Sequence, residues 1–146
     1  MIISSTSENK EIEKRIAVTP EITKKYVNLG FQIQLIENYG IHIGFDDSQF
    51  KNAGAKIISD EKKLLNSSNI IVQLGLLKDS QRSMMKENQT LIGTFNVYQN
   101  KDKIKNFSSK NINVFSLELL PRITRAQSMD ILSSQANLAG YKAVIE

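Results

Sequence analysis

The sequence contains no cysteine and no tryptophan, only two prolines, and a single histidine among its 146 residues. Without cysteine the chain can form neither a disulfide nor a thiolate metal site, and it has no thiol nucleophile. It also lacks any apolar run close to the roughly 18 residues that a membrane-spanning helix needs, and its start has no signal-peptide pattern. These absences predict a cytoplasmic chain that is neither secreted nor embedded in a membrane.

Charge is balanced along the chain rather than concentrated in one segment. Lys and Arg total 19 against 15 Asp and Glu, a formal net charge of +4. Nucleic-acid binding favours a basic run with interleaved aromatic residues, and this pattern is missing, so nucleic acid is not an expected partner. With 40% hydrophobic and 23% charged residues, the composition is typical of one soluble, folded domain.

Short β-branched runs recur along the sequence, and each is separated from the next by a polar spacer long enough for a helix. This alternation predicts an α/β fold, a Rossmann-like or flavodoxin-like three-layer domain in which helices flank a mostly parallel sheet. The predicted strands are residues 1–4, 31–36, 55–59, 69–74, 90–95 and 113–118.

The spacers between the predicted strands contain residues typical of helix starts and ends. Thr19 is a suitable N-cap with Pro20 at the first helical position, and this pair predicts a helix that ends at Gly30. Further helices are predicted from Asp46 or Asp47 to near Gly54 and from Ser59-Asp60 to about Asn66, with weaker ones after Asp79 and after Gln99.

The C-terminal segment has a different pattern. From Gln127 onward, apolar residues recur at spacings of three and four, which predicts a long helix. Its apolar stripe consists of Met129, Leu132, Ala136, Ala139 and Ala143. No glycine follows the last residue of this stripe before Glu146. We therefore expect an α/β unit over residues 1–133 and the start of a long connecting helix, cut short, over residues 134–146.

Polar side chains cluster just before and within the start of this helix. Gln127 could pair with a carboxamide, Asp130 could accept from sugar hydroxyls, and Arg122 could neutralise or stack on a planar ring. The alternative is an ordinary helix start, in which Thr124, Ser128 and Asp130 cap free amides and Gln127 is merely solvated. The residue pattern alone favours this alternative.

Two stretches resemble a known protein family. The segment ELLPRITRAQSMDILSSQANLAGYKAVI resembles the NAD(H)-binding alpha subunit of proton-translocating NAD(P) transhydrogenases. The segment EKRIAVTPEITKKYVNLGFQIQLIENYGIHIGFDDSQFKNAGAKI resembles the opening that these transhydrogenases share with alanine dehydrogenases. The likeness is strong at both ends and weak in the middle, and it identifies an N-terminal subdomain of the alanine dehydrogenase/transhydrogenase type.

The resemblance implies a role in hydride transfer between NAD(H) and NADP(H), coupled to proton translocation in the full complex. In that family the matching arginine, glutamine, aspartate and serine lie around the nicotinamide and its ribose. Cofactor-binding roles are thereby implied for Arg122, Gln127, Asp130 and Ser133. Direct hydride transfer needs two rings held in contact away from water, so these residues would position the ring and no catalytic acid or base is expected.

The resemblance also implies partners. NADP(H) would bind a separate component, a membrane component would carry the protons, and the assembly would be a homodimer located peripherally at the inner membrane. The seven glycines never form G-x-G-x-x-G, so the subdomain that holds the pyrophosphate is expected outside these residues. The chain alone should therefore bind NAD(H) weakly or not at all.

Arg15, within the segment EKRIAVTP, is a further candidate for the cleft. The matching arginine of alanine dehydrogenases binds the substrate carboxylate, and the alternative is a surface arginine or a brace for the loop before Pro20. The lysine and histidine of alanine dehydrogenases are expected near Gln73 and Asn96 and are missing, which disfavours a fragment of that enzyme. A non-catalytic binding module of the same fold is the other alternative.

Two further groups of residues have simple interpretations. His42, near Asp46 and Asp47, lacks additional ligands, so no metal site is predicted. A basic face of solvated side chains is predicted from the spacing of Lys78, Arg82 and Lys86.

Overall fold

A six-stranded parallel sheet forms the centre of the molecule. The structure is a computed structural model that describes residues 1–146. The strands are β1 (Ile2–Ser5), β2 (Gln32–Ile36), β3 (Lys56–Ile58), β4 (Ile70–Gln73), β5 (Thr90–Gly93) and β6 (Asn113–Ser116). Their order across the sheet is β3-β2-β1-β4-β5-β6, and all neighbouring pairs are parallel. The predicted fold class is confirmed, and all six predicted strands are present.

Five helices connect the strands and a sixth follows them. They are α1 (Pro20–Asn28), α2 (Asp47–Asn52), α3 (Glu61–Ser67), α4 (Asp79–Met84), α5 (Lys101–Ser108) and α6 (Ile131–Ile145). The caps read from the sequence operate as expected: the Thr19 side chain accepts from the Ile22 N–H, and Asp46 forms a capping box with Gln49. None of the helices combines the length and the hydropathy needed to cross a bilayer.

Two apolar cores lie on opposite faces of the sheet. On the first face, α1 and α2 cover the half built from β1, β2 and β3, where Leu35 and Phe50 are fully buried. On the second face, α3, α4 and α5 cover a core around Leu65, Ile71 and Leu91. Consecutive residues of a strand point to opposite faces, which explains why one short strand can supply both cores.

One half of the first face carries no helix. Val72, Ile92 and Phe115 lie side by side there, in register on β4, β5 and β6. They are only partly covered, and Phe115 is 58% exposed. An apolar groove of about 610 Å³ runs over Val72 and Ile92, between Tyr26 of α1 and Leu132 of α6.

The last helix differs from the expectation. The prediction began it at Gln127, but Thr124–Met129 form a 3₁₀ turn, and α6 begins at Ile131. The cause is local, because Asp130 has extended backbone and its carboxylate captures the first amides of the helix. No residue of α6 is buried, so the predicted apolar stripe packs against no core in this chain.

Candidate functional site

The four residues predicted to bind the cofactor line one cavity of about 330 Å³. This cavity is lined only by residues within 121–133, which comprise the segment before α6 and the first turn of that helix. The structure therefore brings Arg122, Gln127, Asp130 and Ser133 together on one open, polar surface.

Asp130 accepts more hydrogen bonds than any other member of this group. Its Oδ1 accepts from the backbone N–H groups of Leu132 (2.9 Å) and Ser133 (3.2 Å). Its Oδ2 accepts from the Ser133 hydroxyl at 2.6 Å. The hydrogen bonds from Ser133, with a smaller contribution from the charge of Arg122, hold the pKa of the Asp130 carboxyl below its usual range. This carboxylate is therefore charged at neutral pH.

Of the three residues expected to cap free amides in the alternative interpretation, only Asp130 does so, and Gln127 is solvated as that interpretation expects. Thr124 and Ser128 make no capping hydrogen bond, because the N-cap of the 3₁₀ turn is Ile123 and that of α6 is Asp130. Arg122 and Gln127 are exposed, and the protein offers no hydrogen-bond partner to their side chains. Two unpaired donor groups and one ordered carboxylate thus face the same cavity.

Arg15 lies beside different cavities, at the carboxyl edge of the sheet. It lines both the apolar groove and a second cavity of about 430 Å³ near the ends of β4 and β5. Its Nε and Nη2 donate to the Glu13 carboxylate at 2.8 and 2.6 Å, and its Nη1 donates to Gln135 Oε1 at 2.7 Å. This pairing lowers the pKa of Glu13. Arg15 thus links the segment before α1 to α6.

The sequence reasoning missed two carboxylates that organise the loops at this edge. Glu8 accepts from the backbone N–H groups of Leu74 (2.5 Å) and Gly75 (3.1 Å). Burial raises the pKa of Glu8, and the two backbone donors oppose that shift. Glu118 likewise accepts from Phe95 N at 3.1 Å and Val97 N at 3.2 Å. No local spacing signals these contacts, since each joins loops that are distant in the sequence.

Tyr39 is the centre of a buried polar network beneath this edge. Its hydroxyl oxygen accepts from Ala17 N (3.0 Å) and Val18 N (3.1 Å) and lies 2.8 Å from Ser5 Oγ. Desolvation raises the pKa of Tyr39 to about 12. Ser5 donates in turn to Gln73 Oε1 at 3.1 Å. The network fixes the chain just after Arg15.

Gln73 lies near the place where the lysine of alanine dehydrogenases was expected. It is 2% exposed, and its amide donates to the Thr6 carbonyl at 2.9 Å while accepting from Thr6 N at 3.2 Å. Its side chain thus serves to join β1 and β4. Asn96, near which the histidine was expected, lies in the loop after β5 with a φ of 48°.

The remaining candidates have structural partners. His42 Nε2 lies 3.0 Å from the Lys14 carbonyl oxygen, and its contact is with the segment that carries Arg15. The predicted basic face is wrong in one respect, because the Arg82 side chain is only 14% exposed. It folds back to donate to the Leu77 carbonyl at 3.0 Å and pairs with Asp79.

A family model described as "Alanine dehydrogenase/PNT, N-terminal domain" matches residues 5–139. The chain belongs to this family. The family membership expected from the two sequence segments is thus confirmed, and the matched range includes the four cavity residues and the first turns of α6.

Members of the family similar to this chain are considerably longer. The chain is 37% identical over 146 residues to NAD(P) transhydrogenase subunit alpha of Haemophilus influenzae, and 34% identical over 146 residues to NAD(P) transhydrogenase subunit alpha of Cereibacter sphaeroides. Each alignment covers all of this chain but 28% of the longer protein.

The fold is similar to a solved member of the family as well. The crystal structure of transhydrogenase from Sinorhizobium meliloti matches with a TM-score of 0.91 and 33% identity, over 99% of this chain and 43% of that one. The chain therefore spans less than half the length of these relatives.

Proposed function

We propose that this chain is the N-terminal portion of an NAD(P) transhydrogenase alpha subunit and forms one wall of its NAD(H) site. The observation that carries the proposal is the cavity in which Arg122, Gln127, Asp130 and Ser133 meet. The identity of 37% and 34% to curated alpha subunits supports transhydrogenase chemistry over the other activity of the family.

The free groups of the cavity fit a nicotinamide nucleoside. Gln127 offers both an acceptor and a donor, as a carboxamide requires, and the charged Asp130 retains lone pairs for ribose hydroxyls. Arg122 can lie against a planar ring, and Ser133 holds the Asp130 carboxylate in place. Bound NAD(H) supplies the hydride chemistry. These residues bind and orient the ring, and none of them transfers a proton.

The rest of the site would come from outside residues 1–146. We assign residues 1–133 to the α/β subdomain and residues 134–146 to the start of a connecting helix. The remaining NAD-binding subdomain would hold the pyrophosphate and cover the open groove and α6, whose apolar residues are exposed. NADP(H)-binding and membrane components would complete a dimeric assembly that is peripheral at the inner membrane.

Alanine dehydrogenase chemistry has no support at the corresponding positions. Gln73 is buried and its amide is engaged with β1, and Asn96 lies in the following loop. Neither position supplies an amine or an imidazole for amino-acid chemistry. A binding module without cofactor chemistry remains the competing function, and the experiment below separates it from the proposal.

The test uses the complete alpha subunit, mixed with its NADP(H)-binding component and assayed for hydride exchange between nicotinamide analogues. Gln127→Ala and Asp130→Ala should each lower the exchange rate about tenfold or more, because the ring loses its positioning contacts. Asn52→Ala, on the exposed surface of α2, is the matched control and should leave the rate unchanged.

Asp130→Asn separates binding from helix capping. Asparagine is an equally good N-cap, so this variant keeps the helix start but removes the charge. A rate reduced in Asp130→Asn supports a direct contact with the nucleotide. Normal rates in both Gln127→Ala and Asp130→Asn would remove these residues from the site and favour the binding module.

A further inference from the structure

The helix α6 is joined to the rest of the domain by a single hydrogen bond. None of its residues is buried, and its first turn lies against the short 3₁₀ turn Leu117–Leu119. Its other hydrogen bonds are internal or reach only its cap, Asp130. The exception is the bond from Arg15 Nη1 to Gln135 Oε1, which spans 120 positions of the sequence at 2.7 Å.

The arginine that makes this bond also pairs with Glu13, and its side chain is 54% exposed. Two of its nitrogens donate to the two oxygens of Glu13, a fork-shaped pairing that fixes the plane of the guanidinium group. The backbone just beyond it is fixed as well, since the N–H groups of Ala17 and Val18 donate to the buried Tyr39 hydroxyl. The third nitrogen of Arg15 therefore contacts α6 from a segment that is itself hydrogen-bonded to Glu13 and Tyr39.

The hydrogen bond between Arg15 and Gln135 lies on the side of α6 opposite the candidate site. Residues two apart on a helix are separated by about 200° around its axis, so Gln135 and Ser133 lie on opposite sides of α6. Ser133 and Asp130 line the cavity, whereas Gln135 and Arg15 line the apolar groove. A rotation or tilt of the helix would move Ser133 and its cap Asp130 together.

We propose that Arg15 and Gln135 are positioning residues, which fix the orientation of α6 and thereby hold Asp130 and Ser133 in place for the nicotinamide nucleoside. The inference rests on the proposed function for the identity of the ligand that the cavity binds. The hydrogen bond between Arg15 and Gln135 does not depend on that function. It gives Arg15 a role that differs from carboxylate binding, because its three nitrogens are already engaged. Lysine could not replace it, since an ammonium group lacks the planar fork.

The effect of the Arg15–Gln135 hydrogen bond on the position of α6 can be measured directly in this chain. The chain has no cysteine, so spin labels at two introduced cysteines, Lys24→Cys on α1 and Ala143→Cys on α6, report the distance between helix and domain. Both positions are exposed. Gln135→Leu removes the acceptor and should widen the distance distribution about twofold or more. Gln135→Glu offers Arg15 a carboxylate and should keep the distribution narrow.

Asn137→Leu is the matched control, since it makes the same polar-to-apolar change on an exposed α6 position whose side chain has no hydrogen bond. It should leave the distribution as it is in the parent chain. Equal widths for Gln135→Leu and the parent chain would overturn the proposal, as would equal widening by Asn137→Leu. Because α6 has no buried residue, all of these variants should fold, and circular dichroism verifies this.

The consequence for the reaction is measured in the complete assembly by the hydride-exchange assay. Gln135→Leu and Arg15→Lys should lower the rate at saturating nucleotide about tenfold, through misplacement of Asp130 and Ser133. Gln135→Glu should restore it to within about twofold, a rescue that a general loss of stability would not show. Unchanged rates in Gln135→Leu would overturn the positioning role even if α6 becomes mobile. The proposed function fails separately, if Gln127→Ala and Asp130→Asn leave the exchange rate intact.

Discussion

Individual buried side chains determine how the segment that carries Arg15 is held against the sheet. Tyr39 is 1% exposed, and its hydroxyl accepts from two consecutive backbone N–H groups, those of Ala17 and Val18. Backbone donors buried without a partner are costly, so this hydroxyl is structurally important although it is remote from the candidate site.

Tyr39→Phe should therefore destabilise the fold by about 1–3 kcal/mol, because the donors at Ala17 and Val18 would remain buried without an acceptor. Urea denaturation measures the loss. Tyr98→Phe removes the same hydroxyl from a residue that is 88% exposed and should leave the stability unchanged. Equal stability of the Tyr39 variant and the parent chain would show that the hydroxyl bonds contribute nothing.

Sequence reasoning at this scale succeeded where the signal was local. Asp130 as a cap could be predicted from its place before the helix, whereas the set of Arg122, Gln127, Asp130 and Ser133 was expected from the family resemblance of one short segment, whose side chains meet at one cavity. Only one of the two side-chain partners of Arg15 lies close to it in the sequence. Glu13 is two residues away, but Gln135 is 120 residues away, and only the folded chain brings it to the guanidinium group.

The element that distinguishes this molecule is α6, a helix without a buried side. Its large apolar residues include Leu138 (61% exposed), Tyr141 (70%) and Val144 (88%). Helices in folded domains are stabilised mainly by packing of an apolar face, which α6 lacks here. Its stability in this chain must then depend on local terms, namely the Asp130 cap and the intrinsic propensity of its residues.

Two substitutions test this dependence in opposite directions. Asp130→Ala removes the cap and should destabilise α6 by about 1 kcal/mol. Gly140→Ala should stabilise it by a similar amount, about 1 kcal/mol, since a Cβ at Gly140 meets nothing within 4 Å. Amide hydrogen exchange in residues 132–145 would report both effects. The global urea midpoint should stay constant, and a shifted midpoint would mean that α6 packs into the core.

The start of this helix also shows why element boundaries are harder to predict than elements. The apolar spacing extends back to Met129, so periodicity alone began the helix at Gln127. The competition between a 3₁₀ turn and an α-helix is decided by the Asp130 carboxylate, which captures the amides of Leu132 and Ser133. Capping by a single residue thus overrides the hydrophobic pattern.

At the scale of the whole molecule, the fold is a doubly wound sheet with one helix position unfilled. Alternating strands and spacers suffice to predict the parallel sheet, because βαβ crossovers leave few other topologies. They do not predict which half of the first face stays open, since that follows from the strand order β3-β2-β1-β4-β5-β6. The open half contains Ile92 and Phe115 and adjoins α6.

This open architecture agrees with a chain that spans 28% to 43% of the relatives it matches. The candidate cavity, in contrast, is lined only by residues within 121–133, and this short segment alone brings its four side chains together. A small ligand that carries only the nicotinamide half of the coenzyme should therefore reach it in the chain as it stands.

The most direct test of the account is a titration of the ¹⁵N-labelled chain with reduced nicotinamide mononucleotide, followed by amide chemical shifts. We expect weak, saturable binding in which the shifts of residues 122–133 move together, and Gln127→Ala should abolish them. Saturable shifts confined to other surfaces, or shifts of residues 122–133 that persist in Gln127→Ala, would contradict the claim that these four side chains form a nicotinamide site.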